Sequence, residues 1–398
     1  MQESNKITFN KTIGISAFHK LESSQNTKWQ TTPLDLATKQ HYTDALQSCI
    51  ICNSCRYCEG LCAVFPAMEK KREFDLRDMD YLANLCHQCS ECFYDCQYAP
   101  PHEFNVSIPQ QFATIRQESY KKYAFLGFLS RAFYKNAFLT SVVLLFALFL
   151  GFVLASGFEY ASISHRGDFF AVIPYEYMVG VFGVVGVFSC LALAVSSVRF
   201  AKAIDLPRVP IKAILQSIKD TIFLKYLGGH KEEGCTYPHD KRTNIRKIYH
   251  HLTAYGFLFC FIATNLGVVW THCLGLHAPY DFTQAPKIFG FIGGIMLCVG
   301  TIGLLFAKIE ADEEIKDKNS ISMDYALIVM LFVSSFSGLA LMVLKETFLI
   351  SYMLYFHLSS VLAFFVMMPY SKFVHIFYRF IALLKYNTDE FHTQMEHK

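Results

Sequence analysis

Cys49-Ile50-Ile51-Cys52-Asn53-Ser54-Cys55-Arg56-Tyr57-Cys58-Glu59-Gly60-Leu61-Cys62 and, further on, Cys86-His87-Gln88-Cys89-Ser90-Glu91-Cys92-Phe93-Tyr94-Asp95-Cys96 together hold nine of the chain's 14 cysteines. The second clump is spaced C-x2-C-x2-C-x3-C. The first contains that run once, in one register, from Cys52 to Cys62. A run starting at Cys49 would need a cysteine at position 59, which is Glu59, so Cys49 is surplus.

This is the spacing with which bacterial ferredoxins hold [4Fe–4S] clusters. Three thiolates at x2 spacing wrap one corner of the cubane, and the fourth ligates the other cluster of a pair. The expected ligand sets are therefore Cys52, Cys55 and Cys58 with Cys96, and Cys86, Cys89 and Cys92 with Cys62. Structural zinc also uses C-x2-C pairs, but it needs four ligands per site and gains nothing from the third cysteine. A disulfide framework is disfavoured because residues 1–40 are polar and contain no apolar signal-peptide core.

Working outward, the chain divides by hydropathy. It is 53% hydrophobic and 17% charged, with 38 phenylalanines. Residues 1–136 read as a soluble head and the remainder as a membrane body. Residues 1–44 form a polar arm, flexible or loosely docked by composition. Residues 45–109 form a helical ferredoxin-like domain, because Phe74, Leu76, Met79, Leu82 and Leu85 fall near helical spacing between the two clumps. Pro100, Pro101 and Pro109 mark irregular chain after it. Residues 110–136 mix Arg116, Lys121, Lys122, Arg131 and Lys135 with Tyr120, Tyr123, Phe125, Phe128 and Phe133, the pattern of an interfacial helix. Residues 137–398 carry six apolar runs, near Ala137–Phe158, Tyr177–Val198, His250–Leu274, Ile288–Ala307, Tyr325–Val343 and Ile350–Tyr370, the last extending toward Phe380. Each approaches the ~20 residues that cross a bilayer as a helix. The fold class is all-α: a helical head with two clusters on a six-helix transmembrane bundle.

Basic residues set the orientation. The segment before the first run has five Lys or Arg and the 199–249 loop has eleven, whereas the loop after the first run has Arg166 alone. The head, the 199–249 and 308–324 loops and the C-terminus are thus expected in the cytoplasm.

Histidines inside a membrane are costly and mark functional sites. His357 and His375 are 18 residues apart, which on one continuous helix is five turns and about 27 Å on one face. His250 and His251 open the third run and His272 lies near its end. With antiparallel third and sixth spans, His250 pairs with His375 at the cytoplasmic end and His272 with His357 at the other. Those pairs are the ligands of one or two b-type haems, with His250 better aligned than His251. Cys235, near His230 and His239, reads as surface chain rather than a metal site. The quinone site has no signature; Tyr370 and Lys372 are candidates for quinone, for haem propionate or for lipid headgroups. No G-x-G-x-x-G motif is present, so the chain is not expected to bind flavin itself.

Phe356-His357-Leu358 with Met368-Pro369-Tyr370-Ser371-Lys372-Phe373-Val374-His375 resembles the last haem helix of the respiratory nitrate reductase gamma subunit and related membrane cytochromes b. Tyr249-His250-His251-Leu252-Thr253-Ala254-Tyr255-Gly256-Phe257 resembles their earlier haem helix. Over residues 45–385, Cys52 to Met68, the second clump followed by Pro100-Pro101-His102-Glu103-Phe104, Gly234-Cys235, Tyr237-Pro238, Ala278-Pro279-Tyr280 and the six spans are together similar to the tricarballylate or citrate utilisation protein B family. That resemblance implies a bacterial cytoplasmic-membrane protein that reoxidises the FADH2 of a soluble dehydrogenase, its A partner. Electrons would leave through two [4Fe–4S] clusters and haem b to membrane quinone. Alternatives are an electron-transfer partner of a biosynthetic flavoprotein, as in the related fused protein of aerobic cobalamin synthesis, or a membrane iron–sulfur redox sensor. A transporter would leave the cysteines unexplained.

Overall fold

The computed structural model describes residues 36–156, 169–229, 234–276, 278, 280–317 and 320–396. Residues 1–35 of the expected arm lie outside them, as do His165, His230, His277 and His397. The described residues are helical throughout, with one isolated bridge, Cys235 to Thr243.

The head is built from α1 (Leu36–Cys55), α2 (Val64–Glu69), α3 (Leu76–Leu85), α4 (Glu91–Tyr94) and α5 (Ile108–Tyr123). α1 begins within the segment read as an arm, so order starts earlier than composition implied. Asp75 and Asp78 close a capping box on the first turn of α3, satisfying donors that would otherwise be orphaned. Met79, Leu82, Phe112 and Ile115 of α3 and α5 are fully buried against α1. One carboxylate lies in this core. Asp80 is fully buried and accepts from Tyr42 Oη at 2.5 Å, Tyr123 Oη at 2.5 Å and Lys122 Nζ at 2.9 Å, which offsets its desolvation.

The expected interfacial helix is two helices. α5 ends at Tyr123, Leu126 adopts a left-handed φ of 52°, and α6 (Gly127–Lys135) follows. The aromatic residues of α5 face protein: Tyr120 and Tyr123 pack on Tyr378, and Tyr123 on Phe200. Only α6 presents exposed apolar residues, Phe128 and Leu129.

Six helices are long and apolar enough to cross a membrane: α7 (Ala137–Ala155), α9 (Tyr175–Ala203), α11 (Ile245–Leu274), α12 (Ala285–Glu310), α13 (Ile321–Leu344) and α14 (Ile350–Met367). Two short helices, α8 (Phe169–Val172) and α10 (Ile211–Ile222), lie between them. The chain is a multi-pass membrane protein. Asn136 caps α7 by accepting from the Leu139 N–H, and Gly275, at φ 64°, closes α11. α14 is the most enclosed of the six and α11 the least.

The last apolar run does not continue to His375 as one helix. α14 stops at Met367, and a turn and a short 3-10 segment (Lys372–Val374) precede α15 (His375–Glu396). Pro369 is the physical cause: it has no N–H to donate and its ring clashes with the preceding turn. The shared face and the 27 Å separation of His357 and His375 therefore do not hold. His375 instead opens α15, which leaves the bundle and packs on α10 and on α3 of the head. The 199–249 and 308–317 segments also meet the head, through Arg77 to Asp205 at 2.6 Å and Gln110 to the Lys316 carbonyl at 3.1 Å.

Candidate metal centres

The first cysteine set forms where α1 ends. Cys52 and Cys55 lie in its last turn, and Arg56, at φ 55°, turns the chain so that Cys58 and Cys62 wrap back. Cys49 points the other way, fully buried with its Sγ 3.9 Å from Met79 Sδ, in keeping with a packing role. The second set follows α3 in a tight loop with two more left-handed non-glycine residues, Gln88 (φ 52°) and Ser90 (φ 67°). Such conformations cost energy and gather at functional sites. In this loop the Gln88 N–H lies 3.4 Å from Cys86 Sγ, and beyond it the Tyr98 N–H lies 3.4 Å from Cys96 Sγ.

The thiols line two cavities. One, of about 280 Å³, is bordered by Cys52, Cys55, Cys58 and Cys96, with Cys92 at its inner edge. The other, of about 10 Å³, is bordered by Cys62, Cys86, Cys89 and Cys92. The crossed sets expected from spacing are thus the sets brought together: Cys96 joins the first run and Cys62 the second. Burial pushes the Cys52 and Cys58 thiols up to about 12, with neighbouring thiols adding to it. Burial likewise raises Cys62, helped by Cys89 and Cys86. Thiols so placed hold their protons until a metal displaces them. Among the described residues no three His, Cys, Asp or Glu side chains are grouped closely enough to hold a metal ion.

The two cavities differ in access. Cys52, Cys55, Cys58 and Cys96 are partly exposed, and Tyr57 at their rim is 73% exposed. Of the second set, Cys62 and Cys92 are partly exposed and Cys86 and Cys89 are buried. The segment from Gly234 to Thr243 closes over them, because Arg242 pairs with the buried Glu91 at 3.1 Å and Thr236 Oγ1 donates to the Cys89 carbonyl at 3.4 Å. This corrects the surface reading of Cys235, which is fully buried in a cluster with Cys89 and Phe93. A polar, basic loop gave no sign that it folds back onto the head.

His250 and His375 come together, with ring centroids 6.3 Å apart and planes at 85°. Two metal–nitrogen bonds of about 2 Å, plus about 1.1 Å from each nitrogen to its ring centre, span nearly that distance. His375 Nδ1 donates to the Lys372 carbonyl at 2.5 Å, which fixes the tautomer and leaves Nε2 as the free acceptor. His250 Nδ1 is buried without a protein partner. The pair fits a bis-imidazole haem site. Just beyond it, Phe257 of α11 packs on Phe364 and Phe373.

The other two histidines are not in ring contact. His357 is held by Ser337 Oγ, 3.0 Å from its Nδ1, while the exposed His272 has its Nε2 2.9 Å from Tyr175 Oη. Lys372 is engaged by the buried Asp324, which also pairs with Lys308; the Tyr370 hydroxyl is buried without a partner.

Three arginines absent from the sequence reading of ligands link the centres. Arg116 donates to the Cys86 carbonyl at 2.6 Å, Arg379 to the same carbonyl at 2.8 Å, and Arg246 to the Gln88 and His87 carbonyls. His87 stands among them; burial and then the Arg379 charge hold its pKa well below the usual range, and its Nδ1 donates to the Leu85 carbonyl at 2.9 Å. The usable signal was spacing: Arg246 precedes His250 by four residues, and Arg379 follows His375 by four.

A family model for citrate utilization protein B matches residues 130–395, and one for its Fer4-like domain matches residues 45–122. The chain is 39% identical over 341 residues to citrate utilization protein B of Escherichia coli, covering 84% of this chain and 89% of that protein. No solved structure matches.

Proposed function

The chain belongs to the citrate utilization protein B family, and we propose that it is the membrane electron-transfer component of citrate- or tricarballylate-type acid oxidation. Its reductant is the reduced FAD of a soluble dehydrogenase, and its acceptor is membrane quinone. Two [4Fe–4S] clusters and b-type haem would supply the one-electron carriers that side chains cannot.

Cys52, Cys55, Cys58 and Cys96 would hold the outer cluster, and Cys62, Cys86, Cys89 and Cys92 the inner one. His250 and His375 would hold haem, with His357 and His272 as candidates for a second. The observation that carries the reading is their succession. An accessible cysteine cavity shares Cys92 with a closed one, and the closed one is tied through its own backbone carbonyls to helix ends bearing His250 and His375. The outer cysteines face water, where a soluble flavoprotein can reach them. Cys86 and Cys89 of the inner set are shielded by Tyr226 and the 234–243 segment, which would keep the second step within protein. The head and its attached loops would lie on the cytoplasmic side of the bacterial inner membrane.

The test is oxidised and dithionite-reduced spectroscopy of the purified protein with iron, sulfide and haem counts, followed by reduction through the partner dehydrogenase and its acid. About eight cluster irons and at least one haem are expected. Absence of either cofactor, or failure of quinone to reoxidise the protein, would refute the reading.

A further inference from the structure

Positive charge gathers between the inner cysteine set and the His250–His375 pair. Every hydrogen bond that Arg116, Arg246 and Arg379 make among the described residues goes to a neutral backbone carbonyl. A carbonyl dipole does not cancel a full charge, so the buried Arg116 and the half-buried Arg246 and Arg379 lack an anion among the described residues, although Arg246 also stacks over the Tyr237 ring at 4.4 Å. Arg379 Nε is moreover buried with no partner at all. The donors are in place, and among the described residues no anionic acceptor meets them.

Its position follows from helix geometry. Residues i and i+4 share a helix face and differ by about 6 Å along the axis. Arg246 therefore lies on His250's face of α11, one turn closer to the head, and Arg379 lies likewise beyond His375 on α15. The two histidines approach each other, and the two arginines flank them on the head side. We propose that Arg246 and Arg379 bind the two carboxylates of a porphyrin whose iron is carried by His250 and His375. This rests on the haem reading above. Carboxylates supply the planar, twofold acceptor that a guanidinium matches best. Because the same arginines hold the 86–88 carbonyls, the site also fixes the inner cysteine loop relative to the porphyrin edge. Arg116, from the head, serves the cysteine loop alone.

The rival anion is the inner cluster itself, and masking the porphyrin carboxylates separates the two. Full-length protein in detergent, depleted of haem, is titrated with haem and with haem dimethyl ester, while the head's iron content and cluster EPR signal are followed as folding controls. Wild type is expected to bind the ester roughly ten- to a hundredfold more weakly than haem. Arg246→Gln and Arg379→Gln should lose affinity for haem yet bind the ester as wild type does, and Arg379→Lys should recover part of the discrimination. If the variants discriminate as strongly as wild type, or if they shift only the cluster signal, the proposal is overturned. A wild type that binds both compounds equally overturns this site alone, whereas one that takes up neither overturns the haem reading with it.

Discussion

Replacing Gly256 with alanine tests how α11, the helix that carries His250, is held. α11 is little enclosed, and Gly256 is its buried residue, pressed against α12. A Cβ there would lie 2.6 Å from Leu297 N and 2.9 Å from the Gly293 carbonyl oxygen, both backbone atoms that cannot swing aside. Ordinary contact begins at 3.4 Å, so α11 must retreat by 3.4 − 2.6, or about 0.8 Å. Small residues at a membrane helix crossing exist to permit such approach, and overfilling one costs about 1–3 kcal/mol. His250 lies six residues away, about 9 Å along the same rigid helix, and moves with it. Metal–ligand distances tolerate about 0.2 Å, so the His250–His375 pair loses its fit. We expect Gly256→Ala to weaken haem retention about tenfold or more, by analogy with lost ligand support, while the head keeps its iron. Gly267→Ala is the control on the same helix, because its Cβ would meet nothing closer than 3.7 Å. The assay is haem per protein from the reduced-minus-oxidised spectrum at matched iron content. A Gly256→Ala protein with wild-type haem content and spectrum would refute the argument that this seam sets the ligand spacing.

Cys96→Ala should remove the outer cluster and Cys62→Ala the inner one, each with about half of the cluster iron; EPR of the survivor reads the assignment, and the opposite pattern rejects the crossed sets. Cys49→Ser should keep both clusters, as measured by iron and sulfide content. Alanine at His250 and alanine at His375 should abolish the same haem signal, and His357→Ala should spare it; a common loss in all three would contradict the pairing. Tyr42→Phe takes one of three donors from the buried Asp80 and should cost about 1.5–3 kcal/mol, seen as a lower unfolding midpoint; an unchanged midpoint would mean the carboxylate is satisfied otherwise.

Local pattern carried much of this protein. Cysteine spacing needs no tertiary information, because three cysteines of each set lie within seven residues of chain. That Cys62 and Cys96 each border the other run's cavity was legible too, since an x3 offset turns them out of their own sets. The six spans follow from length and apolarity alone, as lipid leaves the backbone no alternative to helix. His250 and His375 meet as expected, though not by the expected route. Their meeting does not depend on a continuous last helix, because Pro369 breaks it and His375 reaches the site from the start of α15.

What required the tertiary structure was whatever depends on distant chain folding back. Arg116, Arg246 and Arg379 come from three separate helices, and their convergence on residues 86–88 has no local signature. Cys235 sits in a loop whose composition is that of a solvated surface, yet the ion pair with Glu91 buries it beside Cys89. α5 reads as an interfacial helix because aromatic and basic residues suit a lipid headgroup layer and a protein core with one buried carboxylate equally well. The sequence by itself determined where the cysteines cluster and which segments are apolar enough to cross a membrane, since spacing and apolarity act over a few residues. Only packing decided which side of the head faces solvent, which cysteine cavity is closed, and how the cavities are wired to the histidines. Those are relations between elements, and each was settled by a contact between residues far apart in the chain.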